Sequence, residues 1–182
     1  MKPLGTVILE TNRLLLRKFT IDDAYQMFKN YGSDSNVTKF LNWKTHETID
    51  DSKNSIKLFM SEYENDGFHW AVVVKDTDEL IGDIAVNHID KKNNNCEIGY
   101  QFGSKYWGKG YATETLNVVL EFLLNECEFK LVECKHTSSN LASGKVMEKV
   151  GMTKDAILPN RRYNKYTNEY EDLIIYSITK TK

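Results

Sequence analysis

A strand that ends in a glycine-bearing turn and restarts as a helix constrains this chain more than any other stretch. Residues Cys96 to Phe102 are rich in β-formers, and the turn Gly103 to Gly110 follows them. Ala112, Leu116, Val119, Leu120 and Leu123 then lie on one helical stripe. The first N–H groups of such a helix have no partner within it and point back at the turn, where an anion can sit. Gly108 and Gly110 permit close backbone approach and positive φ, and Lys109 adds a point charge at the rim. On spacing alone, a glycine-containing turn with no ligand fits equally well. Two nucleotide motifs do not fit. Gly108-Lys109 is followed by Gly110-Tyr111 where a Walker loop needs Ser or Thr, and the dinucleotide pattern needs glycine at Thr113.

The chain on either side reads as alternating strands and helices. Val7 to Phe19 is expected to be a strand, with Thr20 capping a helix that carries Ala24, Met27, Phe28 and Tyr31. A second helix is expected over Glu47 to Tyr63. Phe68 to Lys75, Leu80 to Ile89 and Cys96 to Phe102 are separated by short polar turns, which predicts an antiparallel meander. Beyond the helical stripe come a strand, Lys130 to Thr137, and a short helix, Leu141 to Val150, with Asn140 as N-cap and Gly151 as its C′ residue. Met152 to Leu158 and Glu169 to Thr179 are expected to be two last strands joined by a polar loop, Pro159 to Asn168. The fold class is therefore α/β (α+β), with one domain expected over residues 1–182.

Composition narrows the function classes. A formal charge of -2 lacks the basic excess of a duplex-binding protein, so nucleic acid is not an expected partner. The three cysteines, Cys96, Cys127 and Cys134, are odd in number and without CxxC spacing, which argues against a disulfide framework or zinc and fits a reducing cytoplasm. No metal is expected. No stretch has the length and apolarity of a signal core or a membrane span, and no membrane partner is expected. The oligomeric state is expected to be monomer or homodimer.

Trp107-Gly108-Lys109-Gly110-Tyr111-Ala112-Thr113-Glu114 resembles the acetyl-CoA-binding motif of the GNAT N-acetyltransferases, in particular their RimJ/RimL-like branch. The resemblance extends to Glu10-Thr11-Asn12-Arg13-Leu14-Leu15-Leu16-Arg17, Glu97-Ile98-Gly99-Tyr100, Asn140-Leu141-Ala142-Ser143, Glu148-Lys149-Val150-Gly151-Met152 and Asp172. Two positions depart from it: Lys105 stands where the family often has Arg or Gln, and Met152 where it often has Phe. The resemblance implies a central mixed, mostly antiparallel sheet flanked by helices and splayed between its fourth and fifth strands. The pantetheine arm would lie in the split beside Tyr100, Gln101 and Phe102. Lys105, Trp107, Gly108, Lys109, Gly110, Tyr111, Ala112 and Thr113 would form the phosphate side, and Asn140 would touch pantetheine.

Acetyl transfer from a thioester to a primary amine needs a neutral amine, a polarised carbonyl and a protonated thiolate, and no metal. A backbone N–H near the end of the Cys96 to Phe102 strand is placed to polarise the carbonyl. A thiol of ordinary pKa, about 8.5, leaves readily, so a hydroxyl suffices as its proton donor. The resemblance assigns that role to Ser143. From the sequence alone, Asn140 caps a helix and Ser143 occupies its first turn. By strand position Glu97 is the candidate base, or else a solvent-facing residue or a partner for substrate charge. Cys134 and His136 share a strand face, an arrangement that is more often structural than catalytic. Trp43, Tyr63, Arg161, Arg162 and Tyr163 are candidate specificity positions. The expected activity is direct acetyl transfer in a ternary complex, to a protein N-terminus such as that of a ribosomal protein or to a small amine. The alternative is a non-catalytic acyl-CoA-binding sensor.

Overall fold

The run His69–Val74, which ends in three β-branched valines, forms a strand buried along its whole length. In the computed structural model, which describes residues 1–2 and 4–180, eight strands make one sheet. They are β1 (Leu9–Glu10), β2 (Leu14–Arg17), β3 (His69–Val74), β4 (Glu79–Asp90), β5 (Asn95–Phe102), β6 (Leu131–Thr137), β7 (Thr153–Asn164) and β8 (Glu169–Thr179). Their order is β1-β2-β3-β4-β5-β6-β8-β7, and among the described residues only β5 and β6 pair in parallel. The sheet is thus mixed and mostly antiparallel. Residues 3, 181 and 182 of the expected 1–182 domain lie outside the described residues.

Alternation along β3 divides two cores. Trp70, Val72 and Val74 pack on the face covered by α4 (Tyr111–Glu121) and α5 (Leu141–Lys149), with Ile98, Leu116, Phe129 and Met147. Ala71 and Val73 pack on the other, with Met27 of α1 (Ala24–Met27), Val37 of α2 (Ser35–Thr38) and Ile56 of α3 (Ile49–Glu62). The helix expected over Glu47 to Tyr63 spans Ile49 to Glu62 and starts at a capping box: Thr48 accepts from the Asp51 N–H, and the Asp51 carboxylate accepts from the Thr48 N–H at 2.8 Å.

Three expectations are corrected. Val7 to Phe19 is not one strand; Thr11 to Arg13 turn the chain, so β1 and β2 form a hairpin with Leu9 opposite Leu16. The helix expected from Asp22 to Tyr31 changes pitch twice, from a 3₁₀ turn at Ile21–Asp23 through α1 to a π turn at Phe28–Gly32. The wide turn lets the buried Asn30 donate to the Leu80 carbonyl at 2.7 Å and accept from Lys105 at 2.9 Å. The expected loop Pro159 to Asn168 is largely strand, since β7 runs on to Asn164. Its register shifts between Leu158 and Arg162, and Pro159 is tolerated there because β7 is an edge strand.

Candidate active site

The parallel seam between β5 and β6 lasts only from Asn95–Leu131 to Ile98–Cys134. Beyond it, Gly99 to Phe102 pair only with β4, and Lys135 to Thr137 only with β8. The sheet is therefore split between these two strands. The Gly103 N–H donates to Ile81 of β4, so by alternation Tyr100 and Phe102 turn their main-chain groups into the split. The Phe102 carbonyl is bound there by the Trp107 indole at 2.7 Å.

Two cavities open on this split. One, of about 480 Å³, is lined by Tyr100, Gln101 and Phe102, by the turn residues Trp107, Gly108, Gly110, Tyr111, Ala112 and Thr113, and by Asn140 and Ser143. Gly108 and Gly110 have φ of +74° and +83°, and no side chain caps α4 at Gly110, so its first N–H groups stay free at the cavity wall. A Cβ on Gly108 would meet nothing within 4 Å and would stand in open space beside the turn. This pocket fits an anion on the turn and an extended arm along β5.

The second cavity, of about 910 Å³, lies on the α1–α3 face. Its floor includes Asp83, Glu97, Gly99 and Lys135, its roof includes Trp43, Phe59 and Glu62, and Arg161 and Arg162 reach its rim. Arg162 is fixed there through the Phe40 carbonyl, and burial lowers its pKa. The Glu97 carboxylate is paired with Lys135 Nζ at 2.5 Å. Beside it His69, 6% exposed, lies 3.3 Å from Asp83 and 3.6 Å from Glu62, with Phe59 packed on its ring. Burial works against the charge of His69, and the two carboxylates outweigh it, so its pKa is raised. Gln101 donates to the other oxygen of Asp83 at 2.8 Å.

Tyr100, Gln101, Asn140 and Ser143 line both cavities. Asn140 caps α5 by accepting from the Ser143 N–H, and the Ser143 carbonyl accepts from the Tyr100 hydroxyl at 3.1 Å. Burial raises the Tyr100 pKa, which keeps the phenol a donor.

Lys105 and Lys109, expected on the phosphate side, do not line the first cavity. Lys105 is held by Asn30, and the Lys109 carbonyl accepts from Arg13. Two other lysines, Lys145 and Lys149, do line it. Their i, i+4 spacing on the predicted α5 was the available signal. Among the specificity candidates Trp43, Arg161 and Arg162 face the second cavity, whereas Tyr63 and Tyr163 do not line it. The Cys134 thiol, 1% exposed, is pushed up to about 12 by burial, which leaves it inert beside His136. Among the described residues no group of His, Cys, Asp and Glu is arranged to hold a metal.

Comparison with known proteins shows the family and the fold. The family model described as acetyltransferase (GNAT) domain matches residues 13–153. An uncharacterized N-acetyltransferase, p20, of Bacillus licheniformis is 31% identical over 173 residues, covering 94% of this chain and 96% of that one. A GNAT-family acetyltransferase of Bacillus anthracis superposes with a TM-score of 0.83 at 28% identity, over 95% of this chain and 98% of that one. RimL, the ribosomal L7/L12 α-N-protein acetyltransferase solved with coenzyme A, shares the fold with a TM-score of 0.85 at 15% identity, over 95% of this chain and 98% of its own.

Proposed function

The chain belongs to the GNAT acetyltransferase family and is an acyltransferase enzyme; from that premise we propose that residues 1–182 form a single domain that acetylates a primary amine directly. In this reading acetyl-CoA supplies the thioester, with its arm along β5 and its pyrophosphate on the turn at Gly108 to Thr113. The amine enters from the larger cavity. The observation that carries the proposal is the shared wall of the two cavities, because Tyr100, Gln101, Asn140 and Ser143 would touch both substrates at once. A ternary complex follows, and with it transfer in one displacement.

Each residue then has a bounded task. Main-chain N–H groups of β5 that face the split polarise the carbonyl. Ser143, in the first turn of α5, donates to the departing sulfur, with Tyr100 beside it as a second hydroxyl. Glu97, on the floor of the amine cavity, accepts the ammonium proton. Asn140 holds the start of α5 and contacts the pantetheine arm. The acceptor of this proposal is a peptide N-terminus of the kind RimL acts on, entering a cytoplasmic enzyme through the cavity rimmed by Trp43, Arg161 and Arg162.

Amine-dependent thiol release from acetyl-CoA, measured across peptides, polyamines and aminoglycosides, tests it. Release with peptides above the other amines is expected. Release that no amine accelerates would overturn direct transfer.

A further inference from the structure

The phosphate-binding turn is held from outside by a residue that does not line its cavity. Arg13 stands between β1 and β2, and its guanidinium crosses to the turn. One terminal nitrogen donates to the Lys109 carbonyl at 3.1 Å, Nε donates to Glu114 at 2.7 Å, and the group lies 4.5 Å over the Tyr111 ring. Thr11 Oγ1 and the Arg13 N–H bind the same Glu114 carboxylate.

Lys109 lies between two glycines in the left-handed region, so the peptide joining it to Gly110 has few steric limits of its own. A trans peptide points its C=O and N–H in opposite directions. With the carbonyl drawn outward by Arg13, the Gly110 N–H faces the cavity that Gly110 lines. If that peptide turned over, a carbonyl oxygen would meet the anion instead. Glu114 is also an acidic group in the first turn of α4, and the ion pair with Arg13 offsets its repulsion of an incoming anion.

We propose that Arg13 is a positioning residue for coenzyme A: it fixes the orientation of the Lys109–Gly110 peptide and neutralises Glu114, so that the turn receives a pyrophosphate. The proposal rests on the acetyl-CoA reading above. Its effect belongs to the phosphate end of the ligand and leaves the acetyl end unchanged.

The test compares Arg13→Gln and Arg13→Lys with the unaltered protein. CoA affinity is read by calorimetry, and steady-state kinetics use acetyl-CoA and, separately, acetyl-pantetheine, which has no pyrophosphate. Both variants are expected to bind CoA more weakly, Arg13→Gln by about tenfold, as for loss of a charge-assisted hydrogen bond. KM for acetyl-CoA should rise with kcat unchanged, and turnover of acetyl-pantetheine should stay at the unaltered level. Melting curves establish that each variant is folded. Arg13→Lys keeps the charge and so remains informative if Arg13→Gln does not fold. Folded variants that bind CoA like the unaltered protein overturn the proposal alone, as does an equal loss with acetyl-pantetheine. An unaltered protein that binds no CoA overturns the acetyl-CoA reading, and this proposal with it.

Discussion

Single residues at the split carry two of the sharpest expectations. Gly110 adopts φ of +83°, which a β-branched side chain resists. Gly110→Val is therefore expected to abolish most CoA binding by calorimetry, and a folded variant of unchanged affinity would remove the turn from the site. Ser143 and Asn140 separate chemistry from binding. In the proposed mechanism Ser143→Ala removes a hydroxyl used only as the thiolate departs, so kcat should fall about 10²-fold with CoA affinity and melting temperature nearly unchanged. Asn140→Ala removes the acceptor for the Ser143 N–H and should cost about 1 kcal/mol of stability and weaken CoA binding. Measured side by side at saturating amine, a Ser143→Ala enzyme that turns over normally would reduce that serine to a helix residue. The glycine turn that opens α4 was legible in the sequence because it is local: Gly108, Gly110 and the first turn of α4 lie within a few residues of one another. Arg13 was legible as part of a motif and its contacts were not, because its partners Lys109 and Glu114 lie far along the chain.

At the level of elements, what could be read depended on whether the signal was local. The start of α3 is written in Thr48 and Asp51, and Thr48→Ala is expected to lower stability by about 1 kcal/mol in denaturant melts without touching CoA affinity. The end of α5 is equally explicit. Gly151 takes φ of +84°, with its N–H on the Glu148 carbonyl and the Met152 N–H on that of Met147. The π turn after α1 left no such mark, since apolar spacing reports a face and not a pitch. It exists because Asn30 is drawn to Leu80 and Lys105, both remote in sequence. The strand character of Pro159 to Asn164 was hidden for a similar reason: its proline, asparagine and arginines read as a loop, and pairing with β8 overrode them.

The molecule as a whole brings residues from many elements to the larger cavity, which is why that side of the candidate site was the least legible. Glu62 of α3, His69 of β3, Asp83 of β4 and Gln101 of β5 meet only once the sheet is closed. The meeting has a pH signature. His69 has a raised folded-state pKa, so its contribution is fully present below the unfolded value of about 6.5 and is lost as pH rises through the folded one. The melting temperature of the wild type relative to His69→Gln should therefore decline over that window, with the imidazole titration followed by NMR. A constant difference would mean that the two carboxylates do not hold the charge. The split between β5 and β6 bears on solubility as well as catalysis. Gly99 to Phe102 and Lys135 to Thr137 are paired on one side only, and on the side facing the split they have no strand partner, which amounts to two sheet edges inside one molecule. Free edges template the addition of foreign strands, and a ligand lying between them would shield both. If coenzyme A lies there as proposed, purified protein stripped of it should self-associate faster under light scattering than protein saturated with it, and equal rates would mean that the two edges are protected by the fold itself.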